Sequence, residues 1–338
     1  MRMIGISATA IYTPENTETA ADLAEKTNIP EKIIIEKFGL RKKHVALENE
    51  HASDLAIKAG KEILRTVDPN DIDVVIYFGS PHKDYYVWPI APKIQHELRC
   101  KQAYAFELMN VSSCFPLALK VAKDMLRSDE SIKNILLVGG CKESQIIDYE
   151  NPRSRFMFNF ADGGAAALVS RNRVKSTILS SAIITDGSFH DDVKIPAGGS
   201  VLVSSAKTVV ERQHYIDVKD PFSMKKRLDP VSVPNFVSVV EQALKRSGYS
   251  AEDISMLLPL HTKRSMFQEL LTSLKLKEHQ AFYLEDYGHM SALDPCFGLY
   301  LAEKRGLLHK GDLVVVVSAG TGYTWAATVL RWQGDGDV

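Results

Sequence analysis

Continuous runs of β-branched and other apolar residues recur along the chain and dominate its hydrophobic pattern. Four of them span residues 73–78, 134–138, 165–169 and 312–317, and glycines closely follow the first, second and fourth. These runs lack the apolar–polar alternation of a half-buried strand. They therefore predict strands that are covered on both faces.

Helical periodicity fills the intervals between these runs. Apolar residues are spaced for one face of a helix in the segments 52–67, 117–126, 234–247, 265–274 and 297–305. Pro234 in the first turn of the third segment and Gly248 just past its end are typical start and stop signals. Strands that alternate with helices predict an α/β fold.

The order of elements suggests an internal duplication. In residues 71–170 and again in 253–330, the pattern predicts a helix, a strand that ends at glycines, and closing strands. We place the boundary between the halves near residue 173, which gives an N-terminal half of 1–172 and a C-terminal half of 173–338. No low-complexity segment separates them, so the halves are expected to pack as one body.

Composition and charge exclude several classes of protein. The 338 residues include 41 Lys or Arg and 42 Asp or Glu, for a net charge of −1, so no overall field favours nucleic acid or an acidic membrane. No apolar stretch approaches the roughly 20 residues of a membrane span, and no signal peptide is visible. The four cysteines are scattered and form no CxxC pair, which predicts a reduced, cytoplasmic protein.

The most suggestive cysteine is Cys114. Pro116 follows it at a position typical of a helix start, and the positive end of a helix dipole stabilises a thiolate. Free backbone N–H groups at the same place could bind an oxyanion. Two interpretations remain open from the residues alone, a nucleophile or a small buried apolar side chain.

Two histidines follow strand-like or turn-like segments in the second half. His261 ends an apolar run just before a predicted helix, where side chains of α/β folds converge on ligands. His289 follows Gly288 at a second helix entry, and Asp294 comes five residues later. Each histidine is either an active-site imidazole or a structural one, and Asp294 either orients an imidazole or caps the next helix.

A glycine-rich loop follows the last apolar run. Gly320 and Gly322 let the backbone approach a ligand closely, and their N–H groups could form part of an oxyanion hole. A dinucleotide-binding interpretation would need this motif at the first strand–helix turn. Its place near the C-terminus argues against that interpretation.

Taken in order, these segments resemble the thiolase superfamily, and specifically β-ketoacyl-[acyl-carrier-protein] synthase III. Residues 37–44 (KFGLRKKH), 160–167 (FADGGAAA) and 320–325 (GTGYTW) are similar to landmark motifs of that family. Trp88 and Pro89 stand where the family has an aromatic–proline pair at its dimer contact. The landmarks follow the family's order over nearly the whole chain.

The resemblance implies a five-layered αβαβα fold built from two βαβαβαββ halves, and a homodimer. It implies that Cys114 is the acyl-accepting nucleophile and that His261 is the first active-site imidazole. The oxyanion hole would then use the backbone N–H groups of Cys114 and Thr321. The expected reaction loads an acyl group onto Cys114 and condenses it with a malonyl-type thioester, with loss of CO2.

His289 departs from the family, which normally has an asparagine there. Cys114, His261 and His289 resemble the Cys-His-His set of elongating ketoacyl synthases, so decarboxylative condensation stays chemically reasonable. As a general base, His289 also permits acyl transfer to a hydroxyl or amine without decarboxylation. A catalytically silent partner subunit is a third hypothesis. Zinc bound by these three residues is not expected, because they lack a short ligand-spacing motif.

The donor thioester is expected to be carried by coenzyme A or by acyl carrier protein, with no permanently bound cofactor. The family's adenine-stacking tryptophan falls near Ile33 here, which weakens the case for free coenzyme A. Basic side chains suit the phosphate of either carrier, and the candidates are Lys37, Arg153, Arg155, Lys263 and Arg264. Their alternative role is that of ordinary solvated surface charges.

Overall fold

The computed structural model describes residues 3–171 and 174–334. The predicted division of the chain at 172/173 lies outside the described residues and stays a prediction. In the described part of the chain, the helices are α1 Ala20–Thr27, α2 Glu31–Ile33, α3 Ala52–Ile63, α4 Ile90–Glu97, α5 Cys114–Ser128, α6 Ala206–Val210, α7 Pro221–Ser247, α8 Arg264–Ser273 and α9 Asp294–Lys304.

The strands confirm the predicted apolar runs and add short ones. They are β1 Ile4–Tyr12, β2 Thr17–Thr19, β3 Lys42–His44, β4 Val74–Tyr77, β5 Tyr104–Glu107, β6 Asn134–Lys142, β7 Asp162–Arg171, β8 Ser176–Thr185, β9 Val193–Lys194, β10 Asp217–Val218, β11 Met256–Pro259, β12 Leu313–Gly320 and β13 Thr324–Trp332. Nine of these form one sheet in the order β11-β12-β13-β8-β1-β7-β6-β4-β5.

The sheet divides into two half-sheets of related topology. The first contains β1, β4, β5, β6 and β7, and the second contains β8, β11, β12 and β13, with β1 paired to β8 at the junction. In the second half, the strand that would correspond to β5 is reduced to a single parallel bridge between Leu257 and Ala281. The expected duplication is therefore visible, with one strand nearly lost.

Alternating side chains of the central strands place the helices in layers. Val74 and Ile76 pack into an inner core with α5 and α9, whereas their neighbours Val75 and Tyr77 pack outward against α3 and α4. In the second half-sheet, β12 divides its side chains in the same way, with α7 and α8 on the outside. The result is the αβαβα arrangement expected from the resemblance, with strands buried on both faces.

Glycine allows α3 to pack directly on the first half-sheet. A Cβ at Gly140 would lie 1.8 Å from the carbonyl oxygen of Ala52, and one at Gly164 would lie 2.0 Å from that of Leu55. Any larger residue would push the helix off the sheet. These two positions therefore fix the outer layer against β6 and β7.

One predicted helix boundary is wrong. Helix α7 begins at Pro221 rather than near Pro234, and both Pro230 and Pro234 lie inside it. Asp220 caps the true start, since its side chain accepts a hydrogen bond from the Ser223 N–H at 3.0 Å. A proline in the first turn does open this helix, but that proline is Pro221 and not Pro234.

The described helices include none long and apolar enough to cross a bilayer.

Candidate active site

The loop from β5 to α5 is a strained turn that presents Ser112. Val111 has a φ of 47°, a conformation that is rare for a β-branched residue and is typical of functional turns. A short 3-10 turn, Val111–Ser113, follows and leads into α5 at Cys114. The turn is closed by hydrogen bonds from Ser113 N–H to the Asn110 carbonyl and from Cys114 N–H to the Val111 carbonyl.

Ser112 contacts an imidazole from the other half of the chain. Its Oγ lies 3.0 Å from Nε2 of His289, and both side chains are buried, each with 6% of its surface exposed. The Ser112 carbonyl accepts a hydrogen bond from the Ser318 hydroxyl on β12. Ser112 is thus held to the second half-sheet by its backbone and to His289 by its side chain.

Asp294 forms hydrogen bonds with His289 and with the backbone beside it. Its Oδ2 lies 2.6 Å from His289 Nδ1, and its Oδ1 accepts from the Met290 N–H at 2.7 Å. A carboxylate can only accept, so Nδ1 carries the imidazole proton and Nε2 is the acceptor that faces Ser112. The structure thus places Asp294 in hydrogen-bond contact with an imidazole, and its orienting role stays a prediction.

The turn that carries Asp294 has the same form as the turn that carries Ser112. Ser291 has a φ of 53°, a 3-10 turn follows, and α9 begins at Asp294. The duplication thus brings the starts of α5 and α9 together. The positive ends of helix dipoles favour the buried Asp294 carboxylate.

The pKa of His289 lies above its ordinary value. Burial alone would lower it, but the charge of Asp294, the hydrogen bond to Asp294 and the more distant charge of Glu143 together raise the pKa. The imidazole is therefore a stronger base than an isolated histidine. Its ring also lies edge-on to Phe160, at 5.0 Å between centroids.

His261 is close to this group but differs in both charge and bonding. Its backbone N–H donates to Asp294 Oδ2 at 2.7 Å, its Nε2 lies 3.0 Å from the Gly39 carbonyl, and its Nδ1 lies 2.9 Å from the Asn159 amide. A carbonyl can only accept, so Nε2 carries the proton and Nδ1 accepts. Burial lowers the pKa of His261 to about 4, so the ring is neutral.

Cys114 lies two residues past Ser112 and faces the inner core. Its side chain is fully buried, and Sγ donates to the Leu108 carbonyl at 3.3 Å. Within residues 3–171 and 174–334, neither imidazole is a hydrogen-bond partner of this thiol. Burial raises the pKa of Cys114 to about 12. The predicted nucleophilic role of Cys114 stays a prediction, and its surroundings are those of a packed apolar residue.

The predicted oxyanion donors need a correction. The Cys114 N–H donates to Val111 and closes the turn, so it is not available to an oxyanion in this conformation. The Gly320 backbone lies against the β5–α5 turn, since a Cβ there would be 2.5 Å from the Asn110 carbonyl oxygen. Thr321 follows it in the half-buried turn between β12 and β13, next to the Ser112 turn.

The five basic candidates differ in their ion pairing and in their exposure to solvent. Arg153 forms a two-point ion pair with Asp217, and Arg264 pairs with Glu278 and packs over Tyr283. The others, Lys37, Arg155 and Lys263, are exposed.

A surface cavity of about 710 Å³ lies elsewhere, beside α3 and α4, and none of the catalytic candidates lines it. The described residues include no cluster of three or more His, Cys, Asp or Glu arranged to hold a metal ion.

A buried lysine braces the segment beside the two histidines. Lys43 Nζ donates to the Tyr149 hydroxyl at 2.7 Å and to the carbonyls of Phe158 and Phe160 at 3.1 and 2.8 Å. The same segment carries Asn159, which contacts His261. Burial lowers the pKa of Lys43 to about 8.

Replacing Lys43 with methionine is expected to lower the free energy of unfolding by about 3–5 kcal/mol, because it leaves buried carbonyl acceptors unpaired and removes one of the two lysines that pair with Glu18. Urea denaturation measures this change. Lys42→Met on the same strand is the matched control, since Lys42 is exposed and its loss should stay within about 0.5 kcal/mol. Equal stability of the two variants would contradict the bracing role.

Sequence reasoning missed Ser112, Asn159 and Lys43. Lys43 and Asn159 lie in or beside motifs that were noted for the resemblance, so their neighbourhood carried a signal. Ser112 carried almost none, because serine is common before helices. Its role depends on an imidazole 177 residues away.

Comparisons with known proteins agree with this architecture. Residues 106–187 match the family model described as 3-Oxoacyl-[acyl-carrier-protein (ACP)] synthase III, and residues 244–332 match the model of its C-terminal part. β-Ketoacyl-[acyl-carrier-protein] synthase III of Syntrophomonas wolfei is 30% identical, with 96% of each chain covered. The protein of that name from Caldanaerobacter subterraneus is 29% identical, with 97% of this chain and 98% of the relative covered.

Solved structures give the same relationship. The 3-oxoacyl-[acyl-carrier-protein] synthase III from Aquifex aeolicus superposes with a TM-score of 0.83 at 27% identity, over 97% of this chain and all of that one. The priming β-ketosynthase of the R1128 polyketide pathway shares the fold, with a TM-score of 0.86 at 21% identity, over 99% of this chain and 97% of that one. The chain therefore belongs to the 3-oxoacyl-[acyl-carrier-protein] synthase III family.

Proposed function

We propose that this chain is an acyltransferase of the β-ketoacyl synthase III type. It takes an acyl group from a coenzyme A or carrier-protein thioester onto one of its own side chains and then passes that group to a second substrate. The observation that carries the proposal is the His289–Asp294 pair, whose acceptor nitrogen faces the start of α5. An oriented imidazole beside a nucleophile is the arrangement that acyl–enzyme chemistry requires.

The family relationship supports condensation as the second step. In that reaction a malonyl-type thioester loses CO2, and the resulting carbanion attacks the acyl–enzyme. Two hydrogen-bond donors at the thioester carbonyl would stabilise the charge that develops. His261 and His289 are the imidazoles that the resemblance assigns to this task.

One observation favours a second candidate, acyl transfer to a hydroxyl or amine. Both ring nitrogens of His261 are already bonded within the protein, and His289 presents an acceptor rather than a donor to the site. A base with a raised pKa suits the deprotonation of an alcohol or amine. The bonding of His261 would have to change before it could polarise a malonyl carbonyl.

Release of CO2 separates the two candidates. The purified chain would be loaded with an acyl-coenzyme A and given malonyl thioester labelled in its free carboxyl group. Condensation predicts one labelled CO2 for each acyl group consumed. Acyl transfer to an added alcohol or amine predicts loading and thiol release with little labelled CO2. Stoichiometric CO2 would leave condensation as the function.

The same experiment tests the silent-subunit hypothesis. The buried Ser112–His289–Asp294 contacts supply a nucleophile, a base and an orienting carboxylate within one chain, which a merely structural partner would not need. Thiol release by the chain alone would contradict the silent role. The absence of any turnover, with or without an acceptor, would support it.

The carrier and the assembly are also proposals. Of the five basic candidates, the exposed Lys37, Arg155 and Lys263 are those we propose as partners of the phosphates of coenzyme A or of an acyl carrier protein. A homodimer is supported by the edge position of β5 and by the exposed side chains of Tyr85, Tyr86 and Val87 near Trp88. Sedimentation equilibrium at twice the 37.6 kDa chain mass would agree with it, and the single-chain mass would contradict it. We expect a cytoplasmic protein with no resident cofactor.

A further inference from the structure

We propose that Ser112, and not Cys114, is the side chain that carries the acyl group, as an oxygen ester. The inference deepens the proposed function and rests on it, since it identifies the nucleophile of that same site. Ser112, His289 and Asp294 would then act as a serine–histidine–aspartate triad built across the two halves of the fold.

Two short contacts connect Ser112 to His289 and His289 to Asp294. Ser112 Oγ lies 3.0 Å from His289 Nε2, and His289 Nδ1 lies 2.6 Å from Asp294 Oδ2. Both contacts fall within the range that a nucleophile, a base and an orienting group require. Among the described residues, the thiol of Cys114 donates to the Leu108 carbonyl and has no imidazole as a hydrogen-bond partner.

The backbone at Ser112 is shaped for a nucleophile. The positive φ of Val111 turns the chain sharply between strand and helix, as the strained turns that expose catalytic serines do. The N–H groups of Ser113 and Cys114 are both used inside the turn. Among the described residues the Ser112 N–H has no such acceptor, so it is free to donate to an oxyanion at the start of the 15-residue helix α5.

The surroundings of Ser112 and Cys114 also favour Ser112 as the nucleophile. The charge of Asp294 raises the pKa of His289, which favours transfer of the Ser112 proton to it. Burial instead raises the pKa of Cys114, and the described structure shows no base in contact with that thiol. Cys114 also belongs to the inner apolar core that contains Phe115 and Phe78.

The chemistry balances with these groups alone. An electron pair of Ser112 Oγ attacks the thioester carbonyl carbon while His289 Nε2 takes the hydroxyl proton. The carbon–sulfur bond then breaks, its electron pair leaves on sulfur, and His289 returns the proton to the departing thiol. In the second half-reaction, when the acceptor is an alcohol or amine, that acceptor gives its proton to His289 and attacks the ester. The carbon–oxygen bond breaks, and Oγ recovers a proton from His289.

The test compares the wild type with Ser112→Ala and Cys114→Ala after exposure to acetyl-, hexanoyl- and dodecanoyl-coenzyme A. Intact-protein mass measures the acyl–enzyme, and thermal unfolding checks the fold of each variant. We expect wild type and Cys114→Ala to be acylated, and Ser112→Ala to be acylated at least about 10³-fold more slowly. Ser112→Cys, which keeps a nucleophile, should be acylated and should lose its label to neutral hydroxylamine, unlike the wild-type ester.

The outcomes distinguish failure of this inference from failure of the proposed function. Acylation that is lost in Cys114→Ala but kept in Ser112→Ala would overturn this inference and leave the proposed acyl–enzyme function standing. No acylation and no thiol release in the wild type, with all three thioesters, would overturn both. Should Ser112→Ala fail to fold, the neutral-hydroxylamine comparison between wild type and Ser112→Cys decides the nature of the bond.

Discussion

Asparagine in place of Asp294 is expected to slow acyl–enzyme formation by about 10³- to 10⁴-fold, as loss of the orienting carboxylate does in catalytic triads. The carboxylate accepts hydrogen bonds from His289 Nδ1, from the His261 backbone and from the Met290 backbone. An amide must turn its NH2 group toward one of these donors. The variant therefore loses the charge that favours the imidazolium and disturbs the orientation of His289.

A pH profile distinguishes this positioning role from a loss of structure. His289 takes the nucleophile's proton only when neutral, so the acylation rate falls as pH drops through its pKa. In the wild type that pKa is raised above the ordinary value of 6.5, which places the acid limb above pH 6.5. Asp294→Asn should move the limb to lower pH. A lower rate with an unmoved limb would contradict the positioning role.

Glutamine in place of His289 is expected to reduce acylation by about 10²- to 10⁴-fold, the range attributed to general acid–base catalysis. Its amide can still contact Ser112 and Asp294, but it cannot take up a proton at neutral pH. The acid limb of the pH–rate profile should disappear together with the rate. Single-turnover thiol release from acyl-coenzyme A measures both.

His309→Gln provides the control for this variant. His309 is exposed and lies next to Asp312 on the surface, so its replacement should leave the acylation rate and the pH profile unchanged. His289→Gln would count against the account if its rate stayed within about tenfold of the wild type. It would also count against the account if the acid limb persisted in the variant.

Much of the fold followed from the hydrophobic pattern because its cause is local. Strands such as β4 and β12 are buried on both faces, so their sequences are continuous apolar runs that no surface element would tolerate. The start of α7 was misplaced because a proline inside a helix has the same local signature as one that opens it. Only the cap formed by Asp220 distinguishes the two.

The site could be predicted only in part, for a physical reason. His261, His289 and Asp294 follow a predicted strand end or a predicted turn, where topology brings side chains together, and the structure places both histidines against the Asp294 carboxylate. The choice of nucleophile depended instead on where one turn points its side chains. The positive φ of Val111 and the packing of Cys114 into the inner core determine which side chain the turn presents. The spacing of residues in the sequence predicts neither.

The location of the acyl group within one peptide tests the central claim most directly. Trypsin releases residues 102–120, which contain both Ser112 and Cys114, and tandem mass spectrometry of the acylated peptide distinguishes the two positions. The account predicts that every fragment containing residue 112 carries the acyl mass, and that fragments beginning at residue 113 or later do not. An acyl group found on Cys114 would contradict it.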